Sequence, residues 1–326
     1  MQPNHPAALQ TPPAPGASSV RWRGVALYLA LACAISWTLW LGLGALGVPL
    51  LIRAVLGMFG PAIAATLVRG PLLHEGFADA GLRLVARDRP GGGWMYLAAY
   101  LLPPLLICAG IGLSLLIGYQ HWTDPVATLE RMLASPPVPP GASQPPPPLP
   151  PEARHQLALI SLFSQLALAL TLGIAINMIF TFGEEFGWRG YLLVRLAPLG
   201  GGWAAILTGV IWGLWHAPLI ITTSMNYPGH PWLGALSMVL VTTAFGVILA
   251  WLRFRSGSVW PPTLAHAAAN AQVGITLLVL APAGDALLRP AYGLIGMAPI
   301  AVFALVLLLT GRLNLAPTSV PTTVAT

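Results

Sequence analysis

TFGEEFGWRGYL, residues 181–192, places two adjacent carboxylates and an arginine at the end of an apolar run. The run before it, Gln156 to Phe182, is 27 largely apolar residues, more than the roughly 20 that cross a bilayer as a helix. Charges at the end of such a helix need partners or a function, because ionised groups taken out of water are costly. Glu185 and Arg189 stand four apart, so on a helix they share a face and can pair. Glu184 lies about 100° round the same helix and is left to point elsewhere. The spacing predicts a helix that continues past both glutamates, with TFGEEFGWRGYLLVRL helical and partly buried.

The rest of the chain fits a membrane setting. Of its 326 residues 56% are hydrophobic and 7% charged, with a mean hydropathy of +0.76. Soluble domains carry roughly 25% charged residues. In lipid the backbone must satisfy its own hydrogen bonds, which favours helices. The expected fold is all-α, a polytopic membrane protein of about eight transmembrane helices with an intramembrane polar cavity. Apolar runs fall at 24–47, 50–68, 94–118, 156–182, 203–221, 233–251, 259–280 and 292–310. The second is the weakest, since it holds Arg53, Gly57, Gly60 and Pro61. Cys33 and Cys108 lie inside such runs as small core residues, so neither a disulfide nor a cysteine zinc site is expected.

Several segments lie outside the runs. Residues 1–20 are rich in Pro and Ala and read as a disordered tail, followed by helices one to three over 21–119. The loop 120–155 contains SPPVPPGASQPPPPLPPE, which reads as a solvated polyproline spacer. HEGFADAGLRLVARDRP, within 71–93, is a charged amphipathic stretch expected along the cytoplasmic interface. Helices four to eight fill 156–312, and 313–326 is a C-terminal tail. All fifteen basic residues are arginine, and the net charge is +6. They are scattered at helix ends as topology signals are, which argues against a nucleic-acid partner. An internal N-terminus puts eleven of them on inner segments, among them Arg21, Arg69, Arg195 and Arg253. Only four, Arg53, Arg131, Arg154 and Arg289, then fall outside. The expectation is a cell-membrane protein with both termini cytoplasmic, and with the glutamates near the cytoplasmic face.

Polar residues recur where lipid would exclude them. His216 sits in GVIWGLWHAPLI, with Trp212 four before it on the same face and Pro218 two after, where the helix should loosen. His266 and Asn270 share a face in TLAHAAANA, and the alanines between allow close approach. Each signal alone has a plain structural reading, as interhelical hydrogen bonding or solvated charge. Together, two Glu, one Arg, two His and one Asn on three helices form a functional-site hypothesis. The chemistry suits amide hydrolysis, which needs a base for water, a group to hold that water and donors for the oxyanion. No serine or cysteine stands in a nucleophile context.

EEFGWRG, the His of WGLWHAP, and HAAAN resemble in order and spacing the three motifs of the CPBP (CAAX protease and bacteriocin-processing, or Abi) intramembrane proteases. That family includes the type II CAAX prenyl endopeptidases, and the specific part of the resemblance covers about 183–270. It implies Glu184 as general base and His216 as its partner on the catalytic water. It implies His266 and Asn270 as oxyanion and site-forming groups, and Glu185 with Arg189 as a structural pair. Trp212 stands where the family has Phe, so that aromatic is expected to pack. The four catalytic candidates should line one cavity open to the cytoplasmic side. Family members have been read both as zinc enzymes and as metal-free glutamic proteases. If zinc is present, Glu184, His216 and His266 would hold it. The HExxH spacing is absent, which favours no metal. The expected partners are a peptide or membrane-protein substrate and the lipid bilayer. Competing readings are a non-catalytic scaffold or bacteriocin-immunity-type protein, and a proton-relaying transporter. No repeat between halves supports the last.

Overall fold

The computed structural model describes residues 19–85, 92–134, 144, 147, 149–281 and 284–314. The expectations for residues 1–18, 86–91, most of the proline run after 134 and the end after 314 lie outside the described residues.

The described chain is helical without a named strand; one isolated bridge joins Trp122 and Leu280. In order the helices are α1 (Trp22–Ala45), α2 (Leu50–Leu72), α3 (Trp94–Leu116), α4 (Pro125–Ala134), α5 (Pro151–Leu170) and α6 (Leu172–Leu199). They continue as α7 (Gly201–Thr223), α8 (Pro231–Ser256), α9 (Trp260–Gln272), α10 (Ile275–Val279) and α11 (Leu294–Leu309). Each of the eight apolar runs falls on helix. Among the described residues five helices can cross a membrane by length and composition, or six if α5 and α6, bent by 42° at Thr171, form one span. Helices α9 and α11 are shorter, at 13 and 16 residues. The protein is therefore a multi-pass, all-helical membrane protein.

Helix α6 continues past the glutamates as the spacing predicts, and more of it is buried than expected. Every residue from Gly183 to Leu193 is buried. Its regular turns widen into a π-turn over Trp188–Leu192, a feature common at functional sites. Similar turns occur at Thr38–Gly42 and at Val68–Leu72, where Pro71 interrupts the ladder. Helix α2 breaks at Met58–Phe59, between the glycines that made its run weak. Helix α7 continues through Pro218 to Thr223.

Two sequence expectations need correction. Part of the 120–155 loop is not spacer, because Pro125–Ala134 is a helix packed on α5 through Leu129, Ala158 and Leu278. Its apolar positions fall on one face and find a partner there. The segment after α2, over 73–85, is turn and bend rather than a continuous amphipathic element. Its charges are taken by helix arginines: buried Arg69 and half-buried Arg195 both pair with Asp79, and Arg195 pairs with Glu75. Burial alone would raise the Asp79 carboxyl, but hydrogen bonds from Arg195 and Arg69 outweigh it and hold it below its ordinary value.

These contacts define one end of the bundle. Arg69 also donates to Gly190 O at 2.6 Å, Arg253 Nε to Arg189 O at 3.2 Å, and Trp260 Nε1 to Leu82 O at 2.9 Å. Here α2, α6 and α8 end and α9 begins; we call it the arginine end. At the opposite end Tyr227 Oη donates to Tyr292 O at 2.9 Å, and Gln120 Nε2 to Ala281 O at 3.0 Å.

Helices α7 and α8 pack most intimately, and glycine makes that possible. A Cβ on Gly209 would lie 2.6 Å from Thr243 Cα and 2.8 Å from Thr242 O. One on Gly246 would lie 3.0 Å from Gly209 Cα. Small residues of this kind let membrane helices approach closely. Gly209→Ala is expected to destabilise the protein by about 1–3 kcal/mol through overpacking. Gly112→Ala on α3, where nothing lies within 4 Å of the added carbon, should be neutral or slightly stabilising. Thermal unfolding in detergent compares the two, and equal melting temperatures would contradict this account of the α7–α8 contact.

Candidate active site

The site forms where α6, α7 and α9 meet, around the indole of Trp212. Helix α6 brings Glu184 and Glu185, both buried. They point apart, as two adjacent helical positions must. Glu185 Oε1 accepts from Arg189 Nη1 at 3.0 Å, one helical turn on, with both side chains fully buried. The same oxygen meets His266 Nδ1 from α9, also at 3.0 Å. A carboxylate only accepts, so Nδ1 carries the proton and Nε2 is the nitrogen left for another partner.

Glu184 turns to α7 instead. Its Oε2 accepts the Trp212 Nε1–H at 2.6 Å. The same indole lies under the Arg189 guanidinium, 4.5 Å from ring centre to Cζ, and meets the His266 ring edge-on at 5.1 Å. Trp212 was expected to pack; the structure makes it a hydrogen-bond donor to the candidate base as well. The departure from Phe at this position was visible in the sequence, but which carboxylate the N–H would reach was not.

One turn along α7, His216 Nδ1 lies 2.9 Å from Trp212 O. A carbonyl also only accepts, so Nδ1 carries the proton and the neutral ring keeps a lone pair on Nε2. Trp40 of α1 stacks on this imidazole at 6.3 Å, and Trp215 meets it edge-on at 4.7 Å. Trp37 Nε1 donates to Trp215 O at 3.0 Å, which ties α1 to the same turn.

Glu184, Trp212, His216, His266 and Asn270 all line one cavity of about 350 Å³. The four catalytic candidates are thus brought together, while Glu185 and Arg189 sit behind them. Asn177 of α6 also lines the cavity and was not singled out from the sequence. It lies on the helix that carries the glutamates, but its amide also bonds Gly173 O at 2.8 Å, the ordinary behaviour of a helical asparagine. The remaining wall is mostly apolar, with Leu51, Val55, Met58, Leu106 and Met238 among its residues.

The cavity has a direction within the bundle. Its lining does not run to the arginine end; it runs from Glu184 towards Met225, Asn226, Ala291 and Tyr292 at the other. The physical reason is an aromatic layer on the arginine side of the glutamates. Phe182 stacks on Trp260 at 4.9 Å and on Phe186 at 5.6 Å, and Phe186 stacks on Phe77 at 6.3 Å.

Comparison with known proteins falls on the same segment. Residues 164–272 match the family model described as type II CAAX prenyl endopeptidase Rce1-like. A stretch of 74 residues is 38% identical to CAAX prenyl protease 2 of Methanococcus maripaludis, over 21% of this chain and 27% of that protein. The chain therefore spans about a quarter of the length of the curated relative it matches. Both matches are to proteases, and both support the resemblance read from the three motifs: over this segment the chain is similar to the CPBP, Rce1-like proteases.

Trp212→Phe keeps an aromatic ring but removes the donor to Glu184. A hydrogen bond to a charged group is worth about 1.5–3 kcal/mol. Removal should therefore cost about that much stability, read as a lower detergent melting temperature, and, where Glu184 acts as a base, slow the reaction it serves by roughly 10- to 100-fold. An unchanged rate would reduce Trp212 to packing.

Proposed function

We propose that the chain is an intramembrane endopeptidase that hydrolyses a peptide bond of a membrane-associated protein or peptide. The observation that carries this reading is the convergence of Glu184, His216, His266 and Asn270 on one cavity inside a helical bundle. The match of residues 164–272 to type II CAAX prenyl endopeptidases supports it. The printed name of the archaeal relative makes a lipid-modified C-terminal peptide one substrate to test.

In this mechanism Glu184 takes a proton from water as general base, and the water oxygen attacks the carbonyl carbon. The lone pair on His216 Nε2 accepts the water's other hydrogen and orients it. The Asn270 amide, and His266 through Nε2 when that nitrogen is protonated, donate to the oxyanion of the tetrahedral intermediate. Glu184 then returns its proton to the leaving amine as the C–N bond breaks. Glu185 and Arg189 do not meet substrate; they hold His266 and the Trp212 ring in place. The protein sits in the plasma membrane on this reading, and the arginine distribution supports both termini being cytoplasmic.

The reaction is metal-independent on this reading. Zinc would need at least three donors from the protein. Among the described residues no three His, Cys, Asp or Glu side chains are grouped to hold a metal. Glu184, His216 and His266 share the cavity, but they are not grouped closely enough to count as a three-donor set.

Two variants separate the glutamates. Glu184→Gln should fold normally and lose about 10²- to 10⁴-fold in rate, the range for a general base. Glu185→Ala should cost about 3–5 kcal/mol of stability, because it strands buried Arg189. Quantitative proteomics of membranes from a deletion strain, rescued with the parent or with the Glu184→Gln variant, supplies the cleavage readout. Melting in detergent supplies the other, and equal losses of both kinds in both variants would remove the distinction.

Chelation gives an independent check. Purified protein should contain well below one zinc per chain and keep its rate after treatment with a divalent-metal chelator. Stoichiometric zinc, with activity lost on its removal and restored on its return, would reassign Glu184, His216 and His266 as ligands.

A further inference from the structure

The carboxylate and the imidazoles of the cavity cluster away from its Met225–Tyr292 end, and its two ends address different faces of the bundle. Glu184, Trp212 and His266 lie towards the arginine end. Beyond them the aromatic layer of Phe182, Phe186, Phe77 and Trp260 intervenes, and Trp188 and Tyr191 are fully buried. Over that layer the loop 73–85 is fastened by Arg69, Arg195 and Arg253. The lining in the other direction reaches Met225 and Asn226, in the connection from α7 to α8, and Ala291 and Tyr292, in the connection to α11. These two connections are tied together by Tyr227 and Tyr292, and by His230 with Asp285 at 2.9 Å.

Charge says which face the mouth addresses. Near the mouth end stand Arg53, Arg131, Arg154 and Arg289. At the arginine end Arg21, Arg23, Arg83, Arg255 and Arg312 add to the three that fasten the loop, eight among the described residues against four at the mouth end. Arginine excess marks the cytoplasmic side of a membrane protein.

We infer that the site is loaded from the non-cytoplasmic face, through a mouth between the 224–230 and 284–293 connections. The substrate is then a polypeptide segment already exported or anchored in the outer leaflet. The segment is apolar where it threads the cavity: Leu51, Val55, Met58, Leu106 and Met238 line the way, and no arginine does. A carboxylate carried inside would find no fixed cation there. This inference rests on the proteolytic reading of the site and names the side from which its substrate comes.

The test uses the full chain with Cys33→Ala and Cys108→Ala, and single cysteines placed at exposed positions of each end. Pro228→Cys marks the mouth end and Arg83→Cys the arginine end. In intact bacterial cells Pro228→Cys should react with a membrane-impermeant maleimide and Arg83→Cys should not; in inside-out vesicles the pattern should reverse. Labelling of Arg83→Cys from outside, or of both positions from the same side, overturns the assignment. A second arm places the cysteine at the mouth itself, Ala291→Cys, with Met225→Cys in its place if the first does not fold. Modification from outside should abolish Glu184-dependent cleavage, and cleavage at the unmodified rate overturns the access route. If no Glu184-dependent cleavage exists at all, the proteolytic reading fails, and the labelling pattern still decides which face the mouth addresses.

Discussion

An arginine and a glutamate buried together in the middle of a membrane bundle set the terms for everything around them. Neither Glu185 nor Arg189 has access to water, and an unpaired charge there would be prohibitive. One contact does not satisfy either group. Glu185 takes His266 as a second donor, and Arg189 lies on the face of Trp212. Each supplementary partner comes from a different helix. The cost of burying one ion pair therefore dictates how α6, α7 and α9 are placed.

Placement at that range requires small residues. A side chain on Gly183 would come within 2.7 Å of Met58 O, so α2 lies directly against the turn that carries the glutamates. On α9, Ala267 and Ala268 are fully buried beside His266 and face Ile174 of α6. Larger residues would hold the helices apart and leave the polar atoms out of reach. The glycines and alanines have no chemistry of their own, yet they determine which polar groups can meet.

The result is a division of labour between neighbouring carboxylates. Glu185 is occupied by structural partners at its Oε1, whereas Glu184 contributes one oxygen to Trp212 and still lines the cavity. Similar logic separates the two histidines, whose Nδ1 atoms are engaged and whose Nε2 atoms are left for other work. Aromatic side chains close the site on the arginine side, and an apolar wall extends from it on the other. A polar floor beneath an apolar channel concentrates polar chemistry where water is scarce, which strengthens every electrostatic contact within it.

Much of this was legible in the sequence because it depends on period and composition. The eight apolar runs, the continuous helix through TFGEEFGWRGYLLVRL, the pairing of Glu185 with Arg189 and the shared face of His266 and Asn270 all follow from helical geometry and the absence of water in lipid. What the tertiary structure decided were distances between helices. Nothing in the spacing assigns His266 to Glu185, or turns Trp212 from a packing ring into a donor to Glu184. Nor does it show that Pro125–Ala134 would fold against α5, or that aromatic residues far apart in the chain would close one end of the cavity. Local periodicity tells a side chain which face of its own helix it occupies. Only the packed bundle settles what that face meets, because the energies that select the partner (burial, charge and close approach) act between segments that are distant in the chain.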